Sequence, residues 1–229
     1  MKEGTYRHEL KYIIGYSDYL SLRARLSQVM KRDVHADENG CYRIRSLYFD
    51  NYRDKALREK IAGVAVREKF RIRYYNDDLS RLTLEKKCKN GDLCRKLAAP
   101  VTKEECRRLS AGDTSWMPAH PQALVKELYI KMKSEQLRPR VLVSYLREPW
   151  VYKAGNVRVT FDSEIRSTLF HRCFPEENPT DIDVMDDKGE RILEVKYDAY
   201  LPEVVAVMLQ TGRCRQQAFS KYGACRRFG

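Results

Sequence analysis

Residues 67–75 read REKFRIRYY. In an extended strand, side chains two apart share a face. Arg67, Lys69, Arg71 and Arg73 therefore stand on one side and Phe70, Ile72 and Tyr74 on the other. Four cations on one strand face repel one another unless an anion neutralises them. The pattern recurs along the chain. In 81–87, Arg81, Thr83, Glu85 and Lys87 oppose Leu82, Leu84 and Lys86; in 157–162, Arg158, Thr160 and Asp162 oppose Val157, Val159 and Phe161. In 192–197, Glu194 and Lys196 oppose Leu193, Val195 and Tyr197, and near the start Arg7, Glu9 and Lys11 oppose Tyr6, His8 and Leu10. Tyr145 and Arg147 share a face after PRVLVS. In 42–50, Arg43 and Arg45 lie opposite Ser46, Tyr48 and Asp50, and alternation alone leaves the core side open.

Any one of these strands fits a half-exposed antiparallel sheet. Five in succession, with polar faces of Arg and Lys punctuated by single carboxylates, fit a concave or closed sheet whose charged faces converge on a polyanion. The apolar faces then point outward, under helices. Helices are expected at 17–31, with Leu22, Leu26 and Val29 on one stripe, and at 103–110, where Thr102 and Glu105 form a capping-box pattern. Others are expected at 121–136, starting from Pro121, and at 202–210. Loops read at 35–40, 76–80, 89–92, 111–121 and 174–190. With no linker, repeat or low-complexity stretch, the expectation is one α+β domain over 1–229, built on a mostly antiparallel sheet.

Charge points to the partner. The 229 residues hold 44 Lys+Arg against 32 Asp+Glu, a net charge of +12. The excess lies mostly in residues 1–110, with 26 against 16, and little of it in 111–229, with 18 against 16. Nucleic acid, an acidic membrane surface or a phosphorylated small molecule would each answer it. No run approaches the roughly 18 to 20 apolar residues of a membrane-spanning helix, and the N-terminus lacks a secretory apolar core. A cytoplasmic protein is expected. Seven cysteines without a CxxC pair read as reduced thiols, and four scattered histidines make no metal cluster.

The carboxylates narrow the choice. Glu9, Glu85, Asp162 and Glu194 would repel nucleic-acid phosphates, which disfavours that partner. A salt bridge accounts for each singly; together they suit a hard divalent ion, Mg²⁺ or Mn²⁺, shared with phosphate oxygens. There is no P-loop, no GxGxxG and no Ser/His/Asp or Cys/His set. Tyr12, Phe70 and Tyr74 read as core and not as a base-stacking platform.

The segments YRHELKYII (6–14), IRSLYFDN (44–51), REKFRIRYY (67–75), LTLEKKCK (82–89), VRVTFDSEI (157–165), LEVKYDAYLP (193–202) and AFSKY (218–222) resemble the VTC domain. This is the polyphosphate polymerase domain of the vacuolar transporter chaperone complex, which has many bacterial stand-alone relatives. It belongs to the triphosphate tunnel metalloenzyme superfamily, alongside CYTH proteins and RNA triphosphatases. The resemblance implies an antiparallel β-barrel of about eight strands, a tunnel with a charged interior flanked by helices. By motif, it implies phosphate-binding and catalytic roles for Lys11, Arg71, Arg73, Lys87, Arg147, Arg158 and Lys221, with Lys96 on the next strand. Glu194 would hold the metal, with Lys196 beside it; Arg67 and Lys69 come from the face pattern, and Glu9 and Glu85 are further candidate metal ligands. Arg7 stands at the first acidic position of the wider ExExK signature, which favours the VTC branch and removes one metal ligand. Neither the SPX domain nor the membrane domain of the eukaryotic complex is present in the sequence, so translocation coupled to synthesis is not expected of this chain alone.

The expected activity is transfer of the ATP γ-phosphoryl group to a growing polyphosphate chain, with Mn²⁺ or Mg²⁺. Water could accept the group in the same tunnel, giving a triphosphatase or polyphosphatase. A non-catalytic polyphosphate or nucleotide binder would share these residues.

Overall fold

Each alternating segment becomes a strand. The computed structural model describes residues 6–91, 93–168, 174–175, 181–185, 189–210, 216 and 219–226. Cys173, Cys214, Ala218, Asp92 and the 176–180 and 186–188 parts of the expected 174–190 loop lie outside these. The strands are β1 (Arg7–Ile14), β2 (Lys31–Arg32), β3 (Tyr42–Asp50), β4 (Val66–Tyr75), β5 (Leu82–Asn90), β6 (Leu93–Val101), β7 (Arg138–Tyr152), β8 (Val157–Thr168), β9 (Ile182–Asp183) and β10 (Arg191–Tyr197). The helices are α1 (Tyr16–Leu26), α2 (Lys55–Ile61), α3 (Lys103–Ser110), α4 (Ala123–Ser134), α5 (Glu203–Met208) and α6 (Lys221–Cys225).

The strands pair in the order β7-β3-β4-β5-β6-β1-β10-β8, and β8 returns to β7, closing an antiparallel ring of eight. β2 extends the β7 edge and β9 the β8 edge. Register carries the face pattern across the ring. Arg71 lies opposite both Tyr48 and Glu85, Lys87 opposite both Lys69 and Lys96, and Glu194 opposite both Lys11 and Thr160. One-residue slips would turn these side chains outward.

The outward faces are apolar, as alternation requires. Phe70, Ile72, Tyr74, Leu82 and Leu84 pack beneath α3 and α4 against Cys106, Leu109, Leu124 and Leu128. Val157, Val159, Phe161, Leu193 and Val195 pack beneath α1 and α5 against Leu22, Leu26 and Val205. Each fully buried Leu or Phe contributes about 1.5–3 kcal/mol. Lys86, a cation on an apolar face, is buried with partners, donating to Glu68 at 2.7 Å and to Glu127 of α4. A third cluster lies inside the ring. Ile44, Tyr48, Val141, Val143, Tyr145 and Ile192 meet Tyr222, Ala224 and Cys225, so α6 fills the interior at one end. Asp50 pins it: its carboxylate accepts from the Tyr222 hydroxyl at 2.5 Å and from the Ala56 and Leu57 amides of α2.

The capping box is present at α3: Thr102 Oγ1 accepts from the Glu105 amide at 3.2 Å, and Glu105 Oε2 accepts from the Thr102 amide at 2.7 Å. Three helices are shorter than expected. Instead of running over 17–31, α1 stops at Leu26, because Lys31 and Arg32 pair with Val151 and Trp150 of β7. Pro121 precedes the Gln122 cap of α4 and lies outside the helix, and α5 covers only 203–208 of 202–210. Two helices, α2 and α6, escape sequence reading; at 7 and 5 residues they are too short for a 3.6-residue period to register.

Candidate active site

The ring encloses a cavity of about 700 Å³. Its mouth lies at the β4–β5 turn, where Tyr75, Asn76, Asp78 and Arg81 line it together with His35 and Tyr42. Deeper walls carry Arg71, Arg73, Lys87, Lys96, Arg147, Arg158 and Lys196, with Glu9 and Cys94. The floor is a network of buried ion pairs.

One half of the network centres on Glu194 and Asp162. Glu194 accepts from Lys196 at 2.8 Å, Lys11 at 3.0 Å and Arg147 at 3.1 Å, and Lys221 stands 3.8 Å away. Arg147 grips Asp162 with two parallel bonds, Nε at 2.6 Å and Nη2 at 2.7 Å, and Lys221 pairs with the same carboxylate. Glu9 takes Lys87 at 2.5 Å, with Lys196 at 3.4 Å and Lys11 at 3.8 Å. The other half centres on Glu85. Arg71 donates from Nε at 2.7 Å and Nη2 at 2.6 Å, Lys96 donates at 3.0 Å, and Arg73 stands 3.8 Å away. Arg73 spends its other donors on Ser46 Oγ at 3.1 Å and the Tyr145 hydroxyl at 3.2 Å. Arg158 pairs with Asp33 and donates to the Tyr42 hydroxyl at 3.0 Å.

Charge is retained throughout. Burial alone would raise Glu194, Glu9, Glu85 and Asp162, but neighbouring cations hold all four below the usual carboxylate range. For Glu194 these are Lys11, Lys196, Lys221 and Arg147; for Glu85, Arg71, Arg73 and Lys96. Burial would lower Lys11, yet Glu194 and Glu9 raise it. Lys69 is the exception. Burial first, then Lys87, Lys11 and Arg71, bring it down to about 8 against the pull of Tyr48. Its amine sits over the rings of Tyr222 at 4.9 Å and Tyr48 at 5.5 Å and, among the described residues, meets no carboxylate. Tyr48 would be raised by burial, but Arg71, Lys69 and Arg73 bring it down to about 8.

The closed ring thus brings together Lys11, Arg71, Arg73, Lys87, Lys96, Arg147, Arg158, Lys196 and Lys221, drawn from seven strands and one helix, around Glu9, Glu85, Asp162 and Glu194. Lys69 lies deeper, beside α6. Arg67 stands apart at the far lip, donating to the Val64 carbonyl. Arg7 is at the rim on Asp198, at 2.8 Å. Several contributors were not singled out from sequence: Ser46 and the hydroxyls of Tyr42, Tyr48 and Tyr145 orient the arginines, and Asp33 pairs with Arg158. The parity of 42–50 held the signal, but Arg43 and Arg45 obscured it. They face outward, towards Glu164 at 3.6 Å and Asp77 at 3.3 Å.

The cations outnumber the carboxylates, so a chain of phosphates would meet preorganised charge of opposite sign. For a divalent ion, Glu9 and Glu194 are the suitable pair. Both reach the Lys196 ammonium, and Glu9 Oε1 is buried without a hydrogen-bond donor. Both oxygens of Glu85 are engaged by Arg71 and Lys96. Among the described residues no three His, Cys, Asp or Glu side chains converge as a metal cage. Two carboxylates still fit a hard ion that draws its remaining ligands from phosphate and water.

Comparison with curated proteins finds no match. A candidate adenylate cyclase from Vibrio parahaemolyticus has a similar solved structure, 10% identical, with 97% of this chain and 99% of that chain covered and a TM-score of 0.53. That likeness concerns the fold. A candidate adenylate cyclase from Bacillus halodurans is 16% identical over 91% of this chain and 87% of that one, with a TM-score of 0.48. The family model of the VTC domain matches residues 6–228, nearly the whole length. The chain belongs to the VTC domain family.

Proposed function

We propose that this chain, acting as one domain, is a phosphotransferase that lengthens polyphosphate from ATP inside the ring. The observation that carries this reading is the convergence of Arg71, Arg73, Lys87, Lys96, Arg147, Arg158 and Lys196 on one cavity, with Lys11 and Lys221 behind them on Glu194. A triphosphate entering the mouth exchanges its hydration for these donors. Arg73 is suited to grip it, because among the described residues its nearest carboxylate oxygen is 3.8 Å away. The terminal oxygen of a polyphosphate chain, already ionised, attacks the γ-phosphorus in line. A new P–O bond forms, the β–γ bridging bond breaks, and ADP leaves with the electron pair. No general base is needed. The residues act by alignment and by neutralising charge on the transferring group. Glu9 and Glu194 would hold Mn²⁺ or Mg²⁺, which when bound supplies further neutralisation of phosphate oxygens.

Incubation with ATP and Mn²⁺, followed by gel separation, tests the reading. The expected result is a ladder of polyphosphate with ADP in matching amount. Orthophosphate alone would assign the same tunnel to hydrolysis. Tight tripolyphosphate binding without turnover under any divalent metal would make the chain a binder.

A further inference from the structure

The turn between α2 and β4 holds six apolar residues in succession, Ile61-Ala62-Gly63-Val64-Ala65-Val66, and every one is exposed. Ile61 is 77% exposed, Val66 70% and Val64 40%. Runs of this kind are uncommon on a surface that meets only water. The turn is held in shape. The Val64 amide donates to the Glu59 carbonyl at 3.0 Å, and the Gly91 amide donates to the Ala65 carbonyl at 3.1 Å. It therefore sits on the ring's far lip, beside Leu93, which is 37% exposed and faces Asn90, the partner of Val66.

Cations surround this tip. Arg58, one turn before Ile61 on α2, is exposed, and Lys60, Arg67 and Lys89 are half-buried. Arg67 pairs with Lys89 across β4 and β5, one position in from Val66 and Asn90, and Lys60 directly precedes Ile61. Among the described residues, the carboxylates that flank the turn in sequence are paired: Glu59 with Lys55 at 4.0 Å, and Glu68 with Lys86 and Lys131, each at 2.7 Å. An apolar tip inside a cationic collar is complementary to a bilayer with anionic headgroups. Aliphatic side chains enter the acyl boundary while Arg and Lys meet phosphates. A nucleic acid would use the collar and leave the tip in water.

We propose that the 61–66 turn and its flanking cations dock this chain on an anionic lipid surface. β4 runs from Val66 at this lip to Tyr75 at the cavity mouth, so docking leaves the mouth facing away from the bilayer. The proposal is independent of the phosphoryl-transfer reading.

Sedimentation with vesicles of phosphatidylcholine and phosphatidylglycerol in equal parts, and of phosphatidylcholine alone, tests it. Excess tripolyphosphate is present throughout, to occupy the tunnel cations. The chain should sediment with the mixed vesicles, and the Ile61→Ser/Val66→Ser double variant should bind them about tenfold more weakly or worse. Tripolyphosphate affinity, measured without lipid, should be unchanged in that variant. Emission of an Ile61→Trp variant should move to the blue on mixed vesicles only. Failure to sediment with mixed vesicles, or equal binding by the double variant, overturns the proposal. So does a lipid-free dimer that the double substitution abolishes, since a second copy would then be what covers the tip.

Discussion

Replacing Glu194 by Gln removes one buried negative charge from the midst of Lys11, Arg147, Lys196 and Lys221. The amide keeps the shape and one acceptor oxygen. Lys221 and Arg147 retain Asp162, and Lys11 and Lys196 retain only the more distant Glu9 at 3.8 and 3.4 Å. Breaking a buried ion pair from one side costs about 3–5 kcal/mol, because the partner stays buried and uncompensated. For a chain of this length that corresponds to a fall in Tm of roughly 6–20 °C. Ligand should reverse the order. A triphosphate can take the place of the missing carboxylate, so in EDTA the variant should bind tripolyphosphate at least as tightly as the wild type. At about 100 times Kd, the ligand returns about 2.7 kcal/mol. Added Mn²⁺ should then strengthen wild-type binding and leave the variant nearly unmoved. Thermal melts by circular dichroism and titration calorimetry read both quantities. A ligand-free variant that melts with the wild type, or one that loses tripolyphosphate in EDTA, would refute the idea that Glu194 stands in for the anion when the tunnel is empty.

Arg73→Ala should weaken tripolyphosphate binding by about 30- to 200-fold, the value of one charge-assisted contact at about 2–3 kcal/mol, with little loss of stability. Glu85 keeps Arg71 and Lys96 in that variant, so a Tm drop matching the affinity loss would argue against the assignment. Lys69 and Tyr48 both titrate near 8, and loss of either proton removes one unit of positive charge from the tunnel. Tripolyphosphate affinity should therefore fall by about tenfold as pH rises through that value, while a Tyr48→Phe/Lys69→Met double variant follows only the ligand's own titration. For ligand-free stability the sign is opposite. The folded values lie below the ordinary values of 10.5 and 10.0, so the unfolded chain binds more protons between about 8 and 10, and these two groups add stability as pH rises across that window. Asp50→Ala leaves the Tyr222 hydroxyl and the Ala56 and Leu57 amides without their acceptor, and urea unfolding should register a loss of several kcal/mol. A loss under about 1 kcal/mol would mean α6 is held without Asp50, by its apolar contacts and by Lys221 on Asp162.

Alternation along single strands was enough to say which residues share a wall. REKFRIRYY could place its cations only on one side, and the apolar side had to find helices, as Phe70 and Ile72 do beneath α3 and α4. Local chemistry likewise marked the start of α3 through Thr102 and Glu105. Parity within a strand is a property of its own backbone, so sequence suffices for it. Which cation meets which carboxylate is not such a property. It depends on register between strands and on the ring closing through β7 and β8, where Arg147 finds Asp162. The same holds for α6, whose five residues carry no readable period; it brings Lys221 and Tyr222 against strands far removed in sequence, with Tyr222 reaching Asp50 across 172 positions. Contacts at that range arise only once the whole chain has folded around a common hollow.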